Sequence, residues 1–399
     1  MNNSVGLKLT ISLAIIVALG PAAIDMYLAS MPNMAQDLNT TYASTQITLT
    51  VFLLFMGLGQ LFFGPLSDAV GRKTPLLMGL ITYIVASIWA AFAENLESLI
   101  FARALQGIGA SMAIVIVMSM VRDITEGAVA AQLYALLNTI VALGPIVAPA
   151  LGGVIGAHYG WRGIMIVLGI LGIIVFVNTL FTLKESLAAK DRIPLNLTSM
   201  SKNYWGIITN KTFSFNLLAL SAVYFFLFSY IGGSSFVYQT GYGLSSEQFG
   251  LVFGLTSISL ILGASSSAYF VKKMEISRLA MIGALVMMIG SATCIMMYML
   301  NVGLIGIVCG IALGLFGLGV LEATLMAIAM DSQQTALGSS AALLGAIPIM
   351  LSSTSTPIAG QLVEVSTLYW LIMLGAIGPL ILFLVFMGTR KTSVTAITH

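Results

Sequence analysis

The chain has 399 residues, 59% of them hydrophobic and 8% charged, with a mean hydropathy of +1.03. Soluble domains carry roughly 25% charged residues, so an ordinary soluble domain is excluded. The net charge of +2 gives no sign of a nucleic-acid partner, and the two cysteines, Cys294 and Cys309, sit in apolar runs without metal or redox spacing and read as buried small hydrophobes.

A membrane-spanning helix needs about 20 apolar residues, and on that measure the sequence holds twelve. Span 1, residues 7–31, follows Lys8, outruns the apolar core of a signal peptide and carries Pro21, Asp25 and Tyr27. It reads as an uncleaved first span. Span 2, 43–65, is expected to end at Gly64. A short charged run through Asp68, Gly71, Arg72 and Lys73 then turns the chain into span 3, 74–93, with Gly71 permitting the tight reversal. Span 4, 98–121, holds Arg103 and Gln106. An arginine inside a span costs from about 3 to over 10 kcal/mol, so Arg103 must face protein or water and have a partner. Span 5, 129–156, contains Gly144, Pro145, Pro149, Gly152 and Gly153. Its two prolines break backbone hydrogen bonds that neighbouring helices must restore in lipid. Span 6 covers 162–183. The polar stretch 184–212 follows, and then spans at 213–238, 247–270, 278–300, 303–329, 337–363 and 367–388. Glu322, in the tenth of these, is the second embedded acid.

The expected fold is therefore all-α and integral to the membrane: two six-helix bundles, 1–183 and 213–399, joined by a cytoplasmic linker at 184–212. Sliding the chain by 204 residues lays 74–87 on 278–291, with Gly79 on Gly283 and Ser87 on Ser291, which suggests a duplication. With the N-terminus in the cytoplasm, all but two of the 16 lysines and arginines fall inside; Arg162 falls outside and Arg103 within a span.

Several of these runs resemble one transporter superfamily. Gly64, Leu66, Asp68, Gly71, Arg72 and Lys73 match motif A of the major facilitator superfamily, G-x-L-x-D-x-x-G-R-K, with Ala69 where the family usually has a base. The run from Arg103 through Gln106 and Gly107 to Gly109 resembles its motif B, and Leu143 to Gly153 resembles motif C, which marks the antiporter branch. Ile24 to Pro32 and Ser229 to Val237 resemble signatures of the Bcr/CflA drug-resistance family. The resemblance implies the major facilitator fold of twelve helices. It also implies a multi-pass protein of the bacterial inner membrane, with cytoplasmic termini, that exports small amphipathic compounds in exchange for protons by alternating access.

Asp25 is then the candidate proton carrier. It lies about 10 Å from the outer end of its span at 1.5 Å per residue, and Arg103 is expected at a comparable depth, close enough to approach it. Desolvation favours a neutral carboxyl and a nearby arginine a charged one, so a balanced group can load and unload a proton. One proton crossing 100 mV yields about 2.3 kcal/mol, and each pH unit about 1.4 kcal/mol; together they support a substrate gradient of roughly a hundredfold or somewhat more. Tyr27, Gln106, Tyr230 and Glu322 are candidate cavity residues. Gly64, Asp68, Gly71, Arg72, Lys73, Gly144, Pro145, Pro149, Gly152 and Gly153 are gating or structural. No cofactor or metal is expected beyond the coupling proton. The partners expected are small amphipathic substrates and the lipid bilayer, for a monomer. An exporter of one dedicated metabolite, such as a siderophore or amino-acid derivative, uses the same scaffold. A membrane enzyme or channel is the remote alternative, because hydrolase and metalloprotease motifs are absent and the only histidines are His158 and His399.

Overall fold

The computed structural model describes residues 6–333 and 337–389. Arg390, Lys391 and His399 lie outside the described residues. Within them the regular structure is helical throughout: α1 (Leu7–Asp25), α2 (Met31–Asp37), α3 (Tyr42–Val70), α4 (Lys73–Ala91), α5 (Leu96–Ile124), α6 (Gly127–Thr182), α7 (Leu197–Ile208), α8 (Lys211–Phe236), α9 (Ser246–Phe270), α10 (Ile276–Met299), α11 (Leu304–Asp331), α12 (Leu337–Ser352), α13 (Ser355–Val365) and α14 (Thr367–Thr389).

Eleven helical segments among the described residues are long and apolar enough to cross a membrane. The 56-residue α6 is two of the expected spans: at 1.5 Å per residue it would run about 84 Å, against a hydrocarbon core of about 30 Å, and Gly160 breaks it with φ 66° and ψ −177°. Counting that break, the structure carries the twelve crossings read from hydropathy. The outer flanks carry exposed large side chains such as Phe101, Phe181, Leu255 and Ile305, as helices bathed in lipid should. Cys294 is buried as expected, whereas Cys309 is exposed, because it falls on the outer flank of α11.

Three boundaries depart from expectation. Span 1 is not one helix to residue 31. It stops at Asp25, makes a 3₁₀ turn over Leu28–Ser30 and resumes at Met31, where Pro32 occupies the first turn of α2, the position in which a missing N–H does no harm. Span 2 does not end at Gly64; α3 continues to Val70 with Pro65 inside it. The reversal falls entirely on Gly71, at φ 100°, and Gly64 instead meets α5, where a Cβ would stand 3.3 Å from Val115. The segment 184–212 is not a plain connector, since it contains α7.

The chain forms two compact units, Met1–Asn196 with Ser245–Leu251, and Leu197–Leu244 with Val252–His399. In the first, α5 packs on α3 and α4, and α6 on α1 and α4. In the second, α8 packs against α11 to α14, and α10 against α11 and α14. Glycines bring backbones together in both. A Cβ on Gly109 would lie 2.6 Å from the Gly79 carbonyl, and one on Gly317 2.7 Å from that of Gly283. Small residues at such contacts are how helices gain van der Waals contact when lipid removes the hydrophobic drive.

Candidate functional site

The break after α1 builds the centre of the first unit. The last carbonyls of a helix have no backbone partner within it. That of Ala23 is taken by Arg103 Nη2 of α5 at 2.9 Å. Arg103 is fully buried, and Nη1 donates to Gln106 Oε1 one turn along. Its guanidinium lies between two rings, 4.4 Å from the centroid of Tyr27 and 4.3 Å from that of Phe52. Gln106 Nε2 donates to Ser87 Oγ at 2.7 Å, which donates to the Tyr83 carbonyl at 2.7 Å. Tyr27 Oη meets Thr48 Oγ1 at 3.4 Å. The cation is stabilised by a carbonyl, an amide and two aromatic faces rather than by a carboxylate.

Asp25 ends α1 beside this cage. It is 2% exposed, and its Oδ1 has no hydrogen-bond partner. Arg103, placed by the sequence at a depth from which it could approach Asp25, makes no ion pair with it among the described residues. The physical reason is that Arg103 already spends its fork on Ala23 and Gln106 and its faces on Tyr27 and Phe52. Tyr27 and Gln106, read as cavity residues, are fully buried in the same cage.

The glycines and prolines of α6 seat this segment. A Cβ on Gly144 would stand 2.3 Å from Pro21 Cβ, on Gly152 1.8 Å from the Met26 carbonyl, and on Gly156 2.2 Å from Ser30 Oγ. Residues on either side of Asp25 therefore lie directly on α6. Gly153 faces the backbone of Ser246, and the Pro149 carbonyl faces Gly250. Pro145 and Pro149 both lie inside the helix.

A second cluster occupies the turn from α3 to α4. The Arg72 side chain, 1% exposed, pairs with Asp68 Oδ1 at 2.6 Å and Asp123 Oδ2 at 2.8 Å, and Nη1 donates to Ser67 Oγ at 2.6 Å. Burial opposes its charge, but the hydrogen bond to Asp123 and the Asp68 carboxylate outweigh that and raise its pKa. Glu185 caps α4, accepting from the backbone N–H of Arg72 at 2.8 Å and of Lys73 at 3.1 Å. Partial burial pushes the Glu185 pKa up, and the backbone donors, Arg72 first, pull it net below the usual value. Lys73 Nζ donates to the Leu180 carbonyl at 3.0 Å. At Gly71 a side chain fails twice: the φ is left-handed, and a Cβ would stand 2.7 Å from Glu185 Oε2. Sequence reasoning missed Asp123 and Glu185 as members. The available signal was an acid next to a base, Arg122-Asp123 and Lys184-Glu185, at the ends of spans in a chain nearly free of charge.

In the second unit Glu322 of α11 accepts from Tyr224 Oη of α8 at 2.6 Å, and no base pairs with it among the described residues. Tyr230 is fully buried and stacks on Phe253, with centroids 5.1 Å apart and planes at 8°. Trp370 Nε1 donates to the Ser229 carbonyl at 2.8 Å, and Gly233 leaves room for its ring. No cluster of three or more metal-ligating side chains occurs among the described residues.

Comparison with known proteins agrees with this architecture. Residues 13–340 match the model of the Major Facilitator Superfamily. YdgK of Bacillus subtilis (strain 168), an uncharacterized MFS-type transporter, is 33% identical over 89% of this chain and 89% of its own length. A bicyclomycin resistance protein homolog of Haemophilus influenzae is 26% identical over 84% of this chain and 85% of its own. The multidrug resistance protein MdtL of Escherichia coli O81 is 34% identical over 48% of this chain and 50% of its own. Among solved structures, a bacterial homolog of the human lysosomal transporter Spinster, inward-facing and unoccupied, superposes with a TM-score of 0.77 at 14% identity, covering 97% of this chain and 98% of that one. The nucleoside transporter NupG gives 0.76 at 13%, covering 95% and 99%. These two likenesses speak for the fold.

Proposed function

This chain belongs to the Major Facilitator Superfamily, a multi-pass membrane transporter and not an enzyme, and from that premise we propose that it exports small amphipathic compounds in exchange for protons. The observation that carries the proton coupling is Asp25: a carboxyl 2% exposed, at a helix break, whose Oδ1 has no hydrogen-bond partner and which has no base in pairing distance among the described residues. A buried charge without a partner is costly, so the cost of its ionised form depends on how the surroundings of the helix break change during the transport cycle. Arg103, caged beside it, is the charge that such a change brings nearer or moves away. The drug-resistance relatives support the direction of transport and the substrate class.

Glu322 with Tyr224 offers the second unit a carboxylate that pairs with no base among the described residues, suited to a cationic group on the substrate. We read the protein as a monomer of the bacterial inner membrane with both termini in the cytoplasm, following the gathering of its bases on one side. The test is an efflux screen in drug-sensitive cells expressing the protein, run with and without an uncoupler. Accumulation of amphipathic compounds falls on expression and recovers with the uncoupler if the reading is right. Export that persists after the gradient collapses overturns the coupling, and secretion of one native metabolite with no drug protection overturns the substrate class.

A further inference from the structure

The span ending at Thr182 and the helix beginning at Lys211 both belong to the membrane-crossing set, so α7 between them must lie near the membrane surface where the chain's bases gather. Only Ile207 of its twelve residues is buried. Leu197 is 55% exposed, Ile208 38% and Trp205 71%. At about 100° per residue, Leu197, Tyr204 and Ile208 fall on one line along the helix. Trp205 stands on one flank of that line and Ile207 on the other. Ile207 marks the side turned to protein, where α7 touches α8 and α12. The line and the Trp205 flank face outward. The Trp205 indole N–H has no hydrogen-bond partner among the described residues, so a large, exposed amphipathic ring is left with its apolar body and its donor both unspent. That is the chemistry of a membrane-interface anchor.

Charge points to the kind of interface. Residues 194–211 contain Lys202 and Lys211 and no acid. Both lysines are exposed, and neither makes an ion pair among the described residues. Lys202 lies beyond Trp205 on the side away from Ile207, the position from which a long stem reaches headgroups while its neighbours sit among acyl chains. We propose that α7 is an interfacial helix, seated in the headgroup layer through Leu197, Trp205 and Ile208, and that Lys202 and Lys211 bind anionic phospholipid there. The helix thereby ties the start of the second unit to the bilayer surface. An amphipathic helix with bases beside its apolar face binds in proportion to buried apolar area and to attraction by anionic lipid.

The test uses the full-length protein in vesicles of phosphatidylcholine with or without phosphatidylglycerol, and it does not depend on transport. Subtracting the emission of Trp205→Phe from that of the unaltered protein isolates Trp205 from the other three tryptophans. The proposal expects a blue-shifted Trp205 signal, quenched severalfold by lipids brominated near the headgroup end of the chain and little by aqueous iodide. Spin-labelled phosphatidylglycerol should quench it severalfold more than the same label on phosphatidylcholine, and Lys202→Gln with Lys211→Gln should remove that difference. Strong iodide quenching without bromine quenching places α7 in water and overturns the proposal. Shielding from both quenchers means that protein covers the face and overturns it equally. Equal quenching by the two labelled lipids overturns the anionic preference.

Discussion

Arg103 is fully buried with no carboxylate paired to it among the described residues, and its stabilisation comes from one carbonyl, one amide and two rings. A lysine carries the charge but not the planar fork or the stacking face. Arg103→Lys is therefore expected to lose the bond to Ala23 or that to Gln106, at about 1–3 kcal/mol for a buried partner left unmade. A lower unfolding temperature of the purified variant checks this, and an unchanged one would show that the cage does not need guanidinium. The sequence marked Arg103 as needing a partner and offered Asp25, not the carbonyl and amide that it takes. The carbonyl of Ala23 becomes available only because α1 stops at Asp25, and that stop depends on the chain's path into α2. Asp123 and Glu185 were hidden for a related reason: each is brought to Arg72 by a turn elsewhere in the chain, and hydropathy reports spans rather than the meeting of their ends.

At the scale of elements, the paired helices carry the architecture. Hydropathy exposed the twelve spans because lipid demands an unbroken apolar helix of fixed length. Polar residues misled at α3, where Ser67 and Asp68 read as loop but are helical, their side chains satisfied by the Gly64 carbonyl and by Arg72. The suggested duplication matches the packing: α4 on α5 and α10 on α11 both close through glycine backbones, and Ser87 and Ser291 both donate to the carbonyl four residues back. Gly152 offers a direct test of how α6 seats the break in α1. In Gly152→Ala the new methyl group would stand 1.8 Å from the Met26 carbonyl, so α1 must move. Overpacking of this kind costs about 1–3 kcal/mol, and export should fall with the melting temperature. Full activity and stability would mean that the contact is free to relax. The cap on α4 predicts a pH dependence. The Glu185 pKa is lowered in the folded protein, so its contribution is complete above the unfolded glutamate value of about 4.3 and is lost as pH falls through the lower folded value. Amide exchange at residues 71–74 should speed up over that acidic window in the unaltered protein, relative to neighbouring helices, and Glu185→Gln should flatten the change. The same acid-induced change in the variant would assign it to another group.

For the whole molecule, the two units are built alike but charged differently. The first has a buried network at the turn from α3 to α4. The corresponding turn of the second, at 270–275, has Lys273 resting on Tyr269 and an exposed pair of Arg278 with Glu275 at 3.7 Å. Arg72→Ala takes the buried cation from Asp123 and leaves Asp68 only the exposed Arg122, 3.6 Å away, at about 3 kcal/mol for a buried pair broken on one side. Lys272→Ala should stay within about 0.5 kcal/mol, as exposed substitutions do. Thermal unfolding of the two variants measures the asymmetry, and equal losses would refute it. The proposed coupling joins the scales, because under it substrate movement is felt at Asp25 in the first unit. The most direct measurement is uphill export and substrate-triggered proton release by purified Asp25→Asn in proteoliposomes, at matched amounts and with its melting temperature recorded. The predicted result is a folded protein that neither exports against a gradient nor releases protons. Proton-driven export at the unaltered rate in that variant would contradict the role of Asp25.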